Sequence, residues 1–169
     1  MDQLWAPWRL AYVVQPPSPK PGDDCFICRA RDEQNDRDNL VVLRTRWSLV
    51  LLNRFPYNNG HLLVAPLAHQ PTLNDLTTDE LLDTVQTVRR MTTVLSELLR
   101  PDGFNIGLNL GKVAGAGLPG HLHWHIVPRW NGDTNFMPVL SDTKVIVQSL
   151  DALWQLLTDR LTTLPPVSA

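Results

Sequence analysis

The chain has 169 residues, the size of one domain built around one core. Hydrophobic residues make up 43% and charged residues 19%, and 15 Lys+Arg face 17 Asp+Glu for a formal net charge of -2. That composition excludes disorder as the main state and lacks the basic excess on which a nucleic-acid binder depends.

Residues 1–24 carry Trp5-Ala6-Pro7-Trp8-Arg9 and then Pro16, Pro17, Pro19 and Pro21, which fix φ and delete backbone donors. They read as an extended arm. The charged stretch at 29–38 reads as a solvated loop, and Leu40-Val41-Val42-Leu43 and the run 47–52, parted by Arg44-Thr45-Arg46, as a β-hairpin. A turn-rich Asn53-Arg54-Phe55-Pro56-Tyr57-Asn58-Asn59-Gly60 precedes a third strand over 61–66. Thr77-Thr78-Asp79-Glu80 has capping-box spacing, and Leu81, Val85, Val88, Leu95 and Leu99 recur at helical intervals up to Pro101, predicting one long helix.

Two further strands are expected at 104–110 and 122–128, joined by Gly111-Lys112-Val113-Ala114-Gly115-Ala116-Gly117-Leu118-Pro119-Gly120. Ile146, Leu150, Leu153, Leu157 and Leu161 mark a C-terminal helix that ends before Pro165-Pro166. The pattern predicts an α+β fold with a mainly antiparallel five-stranded sheet, one long helix and a C-terminal helix. The longest apolar runs, 49–52 and 62–64, fall far short of the roughly 20 residues of a membrane span. Met1-Asp2-Gln3 does not open a secretion signal. The expectation is a cytoplasmic protein with neither nucleic acid nor membrane as partner.

Three of the five histidines stand in His121-Leu122-His123-Trp124-His125-Ile126-Val127. Because side chains alternate faces along a strand, all three imidazoles are expected to project to one side at about 6.6 Å intervals and Leu122, Trp124 and Ile126 to the other. Such a face is either a solvated polar surface, a metal site or a catalytic centre. The glycines at 115, 117 and 120 let amides turn toward an anion without a Cβ in the way, or merely connect two strands.

Cys25-Phe26-Ile27-Cys28 holds the chain's two cysteines. Two thiolates at that spacing suit half of a zinc tetrahedron; a redox dithiol and two unrelated buried thiols are the other readings.

His121 to Val127 resembles the signature of the histidine triad (HIT) nucleotide hydrolases and transferases, His-φ-His-φ-His-φ-φ, at every position. Asn109-Leu110-Gly111 and the glycine loop, Asn53-Arg54-Phe55-Pro56 before Gly60-His61, and the helix between them are similar to the family in order and spacing. The resemblance covers roughly residues 25–130. The flanks, Leu4-Trp5-Ala6-Pro7-Trp8-Arg9, Pro128-Arg129-Trp130 and Gly132-Asp133-Thr134-Asn135-Phe136-Met137, look like the prokaryotic branch that acts on dinucleoside polyphosphates. The implied organisation is one HIT-like domain over 1–169, with the arm at 1–24, the core at 25–130 and an extension with a helix at 131–169.

The resemblance implies a nucleotidyl transferase or hydrolase acting on a substrate such as diadenosine tetraphosphate, with phosphorolysis slightly ahead of hydrolysis. Nucleoside phosphoramidates or a non-catalytic nucleotide sensor are the alternatives. It implies His123 as nucleophile, His125 as donor to the leaving oxygen and His121 as the third member of the catalytic set. Amides of Gly117 and Leu118 would cradle phosphate, although many relatives carry a polar side chain where Gly117 stands. Asn53 would bind ribose, Leu51 would line the base pocket, and His61 and Asn109 would support phosphate and histidine geometry. Asn53 and Asn109 read equally well as turn and strand-end residues. Zinc-carrying members of the family are similar in pattern to Cys25, Cys28, His69 and His121, which implies a structural zinc and no organic cofactor. A homodimer whose sheets join across subunits is implied as well.

Overall fold

In the computed structural model, residues 25–135, 137–138 and 145–165 are described. The expected arm at 1–24 lies outside them. Five strands form one antiparallel sheet in the order β1-β2-β3-β5-β4: β1 (Val41–Arg44), β2 (Ser48–Leu52), β3 (Leu62–Pro66), β4 (Gly103–Leu108) and β5 (Trp124–Arg129). Among the described residues, helices α1 (Phe26–Asp32), α2 (Thr78–Leu99) and α3 (Leu150–Thr162) accompany it. The α+β expectation and the strand count hold. Among the described residues no helix is long and apolar enough to cross a membrane.

Register fixes the two faces of the sheet. Leu52, Leu62 and Ile126 lie opposite one another across β2, β3 and β5, so they share a face, together with Val42, Val50 and Val64. Val88, Met91, Val94 and Leu95 of α2 and Leu153, Leu157 and Leu161 of α3 cover that face. These are helical spacings, and each fully buried Leu stabilises the fold by about 1.5–3 kcal/mol. Residues 131–169 thus return their helix to the central core, and Trp154 Nε1 fastens it by donating to the Val41 carbonyl at 2.7 Å. On the opposite face Val41, Leu49, Leu51 and Ala65 pack beneath Cys25, Ile27 and Ala30 of the α1 segment. Leu51, Leu63 and His125 continue as one row on this second face. Chemistry therefore sits where the long helices do not.

Local signals explain the element ends. Thr77 caps α2 reciprocally: its hydroxyl accepts from the Glu80 amide while the Glu80 carboxylate accepts from the Thr77 amide at 2.8 Å. Arg100 turns left-handed (φ 49) before Pro101 and stops the helix.

The structure corrects four boundaries. The stretch expected to be a loop from Arg29 begins as the last part of α1, because the Cys25 thiol caps the helix by accepting from the Cys28 amide at 3.4 Å. Ile146 precedes α3, which starts at Leu150 behind the Ser149 cap. Asn109 and Leu110 leave β4 at the mouth of the glycine loop. Finally, β5 starts at Trp124, so His121 and His123 stand before the strand and only His125 is on it. The His121 amide bonds back to the Leu118 carbonyl at 3.4 Å and Leu122 donates to Gln70 O at 2.7 Å, which takes this stretch out of the ladder.

Candidate functional site

The Gly60-His61 turn fixes one wall of the site. Gly60 has φ 77, and a Cβ there would lie 2.7 Å from Leu99 Cδ1, so the turn requires glycine. It delivers His61 to the foot of β3, buried beneath the Tyr57 ring at a centroid distance of 4.7 Å. The Tyr57 amide donates to His61 Nδ1 at 3.0 Å. An amide can only donate, so Nδ1 accepts and the ring proton of His61 is on Nε2. That Nε2 lies 2.9 Å from His125 Nδ1 and donates to it. The proton of neutral His125 is therefore on its other nitrogen, Nε2. Burial, and secondly the neighbouring His123, push the His125 pKa down to about 4, so the ring is neutral near pH 7.

His123 has the opposite polarity. Its Nδ1 lies 2.8 Å from the main-chain carbonyl of His121, which can only accept, so Nδ1 carries the proton and Nε2 offers a lone pair. Burial lowers its pKa while the hydrogen bond to the carbonyl opposes that. The His123 and His125 rings stand 5.1 Å apart, nearly edge to face. A lone pair and an N–H donor are thus presented by neighbouring rings, an arrangement suited to attack at one atom and charge stabilisation at the next.

His121 belongs to a different cluster. Its Nε2 donates to the Pro66 carbonyl at 2.9 Å, which leaves Nδ1 unprotonated 3.2 Å from Cys25 Sγ and 3.5 Å from Cys28 Sγ. His69 Nδ1 lies 3.1 Å from Cys28 Sγ, and its ring packs edge-on against His121 with centroids 4.9 Å apart. One ligand atom from each of Cys25, Cys28, His69 and His121 falls within 4.8 Å of the others. Two sulfurs and two imidazole nitrogens so gathered suit a tetrahedral metal ion. With no cation beside it, the Cys28 thiolate is disfavoured: burial, then the hydrogen bond and charge of Cys25, push its pKa up to about 11. A cation among the four would reverse that balance by stabilising the thiolates. The four residues fit a metal ion, which they would hold as a closed set of ligands.

The remaining expected residues fall on two sides. Asn53 donates from Nδ2 toward His61 Nδ1 at 3.3 Å and accepts the Phe55 amide on Oδ1 at 2.9 Å, so it braces the turn. Leu51 is buried in the row that leads to His125. Asn109 Nδ2 reaches the Gly115 carbonyl at 3.4 Å, across the glycine loop. Gly117 is exposed, and half-buried Leu118 packs against the Cys25 and Leu51 side of the sheet. Tyr57 and Pro66 were not expected. They act through main-chain atoms, which no residue pattern advertises.

Comparison with known proteins gives the following. The family model for the HIT domain matches residues 34–132. An AP-4-A phosphorylase of Mycobacterium tuberculosis (strain CDC 1551 / Oshkosh) is 38% identical over 154 residues, covering 89% of this chain and 79% of that protein. An asymmetrical bis(5'-nucleosyl)-tetraphosphatase of Schizosaccharomyces pombe is 39% identical over 93 residues, 55% of this chain and 50% of that one. A Zn-bound histidine triad family protein from Mycobacterium smegmatis superposes with a TM-score of 0.60 at 29% identity, over 73% of this chain and 84% of its own.

Proposed function

The chain belongs to the HIT domain family, and from that premise we propose that it is an enzyme that cleaves diadenosine tetraphosphate through a covalent nucleotidyl-His123 intermediate, with phosphate ahead of water as acceptor. The processing of dinucleoside polyphosphates follows from relatives of that activity. Similarity to an AP-4-A phosphorylase across most of the chain supports the choice of phosphate.

The observation that carries the reading is the opposite protonation of His123 and His125. His123 Nε2 forms a bond to the α-phosphorus, and the P–O bond to the rest of the polyphosphate breaks with its electron pair on the departing oxygen. Phosphate groups ionise a second time near pH ~6, so ATP departs as an anion and needs a hydrogen bond more than a proton. His125 Nε2–H supplies it. The nucleotidyl-imidazole keeps its Nδ1 proton against the His121 carbonyl. An oxygen of inorganic phosphate then attacks phosphorus, the N–P bond breaks, and its electron pair returns to Nε2 with release of ADP. Leu51, Asn53, His61 and Asn109 serve the nucleotide and the triad geometry, and the amides of Gly117 and Leu118 the phosphate.

Zinc is the metal proposed for Cys25, Cys28, His69 and His121, since a sulfur and imidazole tetrahedron suits it. The working unit is a homodimer that joins β4 edges; β4 is an outer strand of the sheet and Ile106 on it is exposed. Calibrated light scattering measures that assembly. The chain is organised as one HIT-like domain, with the arm at 1–24 and the extension at 131–169.

Product analysis after incubation with diadenosine tetraphosphate tests the reaction. ADP and ATP formed only when phosphate is present is the expected result. AMP and ATP regardless of phosphate would make water the acceptor, and unchanged substrate would overturn the assignment in favour of a phosphoramidase or a sensor.

A further inference from the structure

Eight residues beyond the last triad histidine, the Asp133 carboxylate gathers three groups. Its Oδ2 accepts from Arg129 Nε at 2.6 Å, from Asn58 Nδ2 at 2.8 Å and from the Trp130 amide at 3.2 Å, and its Oδ1 accepts from the second guanidinium nitrogen of Arg129 at 3.0 Å. The side chain is only 9% exposed. Arg129 also reaches Asn105 Oδ1 on β4 at 2.8 Å. Asn58, buried, spends both amide hydrogens on the end of β5, one on Asp133 and one on the Pro128 carbonyl at 3.1 Å. Its Oδ1 accepts the Asn59 amide and its carbonyl accepts the His61 amide at 3.2 Å. Asn58 thereby ties the turn that carries the Tyr57 amide, through its two oxygens, to the end of β5, through its side-chain nitrogen.

We propose that Asp133 and Asn58 are positioning residues that set the protonation pattern of His61 and His125. The inference rests on the reading of His125 as the leaving-group donor. Tyr57 is joined directly to Asn58, so the direction of its amide depends on how the turn is clamped. When that amide no longer reaches His61 Nδ1, only the longer contact from Asn53 Nδ2 at 3.3 Å holds that nitrogen as an acceptor, so the His61 proton can move to Nδ1 and Nε2 becomes an acceptor. His125 then donates from Nδ1, and its Nε2 turns from an N–H into a lone pair. One displaced amide thus reverses the group that faces the departing oxygen, from attraction to repulsion. A clamp built on a carboxylate resists this better than a neutral one, because charge-assisted hydrogen bonds are shorter and stronger.

Asn58→Asp tests the clamp with a near-isosteric change that sets one carboxylate against another and against the Pro128 carbonyl, and Asn58→Ala removes both donors without adding charge. The ring 15N signals of the histidines, recorded on protein without substrate, read the tautomers directly. In the unsubstituted chain His61 and His125 both show a protonated Nε2 and an unprotonated Nδ1. Asn58→Asp mixes the two forms and lowers kcat on diadenosine tetraphosphate about 100-fold, the scale set by misplacing a reacting group by about 1 Å. KM moves by less than about threefold, because the lost interaction is made in the transition state. Should Asn58→Asp fail to fold, Asn58→Ala is read in the same way. A folded variant with unchanged ring signals overturns the proposal, and so does a loss carried by KM alone. If the unsubstituted protein turns over no dinucleoside polyphosphate, the ring signals decide the positioning role independently of that reading.

Discussion

His121 and His125 are four residues apart, both largely buried, and both are pushed down to about 4, chiefly by burial. Their chemistry is nevertheless opposite. His121 donates a hydrogen bond from Nε2–H to the Pro66 carbonyl and turns a lone pair on Nδ1 toward two thiols. His125 accepts a hydrogen bond at Nδ1 from the Nε2–H of His61 and carries its own proton on Nε2. Residue type and burial do not separate the two; the partner at the other nitrogen does, here one carbonyl and one neighbouring imidazole.

The largest expected effect isolates the cleft. His123→Ala removes the lone pair, and kcat on diadenosine tetraphosphate falls by about 10⁴-fold while nucleotide binding persists, as steady-state kinetics and equilibrium titration would record. Next comes the metal end. Cys25→Ser and His121→Asn share one phenotype: bound zinc, counted by elemental analysis, is lost, and the melting temperature falls by roughly 10 °C, equivalent to about 3 kcal/mol for a chain of this size. If His121→Asn instead keeps its metal and loses turnover as fully as His123→Ala, the division between the two ends is broken.

His125→Ala has a smaller effect than His123→Ala, about 100-fold in kcat, because it removes one stabilising donor and leaves the attacking atom in place. Its pH signature sharpens the contrast. A ring with a folded pKa of about 4 against 6.5 for the free side chain binds its proton only after unfolding in that interval. Stability therefore rises with pH there and is lost as pH drops from about 6.5 toward 4. Melting temperatures across that window fall less steeply in His125→Ala. Far from either end, Thr77→Ala removes the reciprocal cap of α2 and costs about 1 kcal/mol in denaturant unfolding, with kcat and metal content unchanged.

The helical face of the sheet was legible in the sequence because it obeys periodicity. Leu153, Leu157 and Leu161 repeat at helical spacing, and Thr77 with Glu80 announces the start of α2. The four-ligand cluster was legible only through resemblance. Alternation of histidine and apolar residues suggested one strand face for all three imidazoles, whereas β5 begins after His123 and His121 turns into the metal cluster. Periodicity cannot see a loop that borrows a strand's pattern. Helix α1 was missed for a related reason: seven residues, three of them charged, carry too little periodicity, and its cap is a thiol. The tautomers, and the parts played by Asn58 and Asp133, were out of reach because they depend on main-chain atoms of Tyr57, Pro66 and Pro128 that meet only in the folded chain.

The Cys25 to His121 contact closes a loop of 96 residues. Cys25 and Cys28 are three apart and adjacent at every stage of folding, but His69 lies 41 residues beyond Cys28, and the cost of loop closure grows with separation. A nascent or unfolded chain therefore offers a metal ion two thiols and little more. The full set of four arises only once β3 and β5 have paired, since Pro66 and the segment leading into Trp124 carry the groups that orient His121. Order of assembly is thereby written into the cluster: the sheet comes first, and an ion bound there would seal a register already chosen.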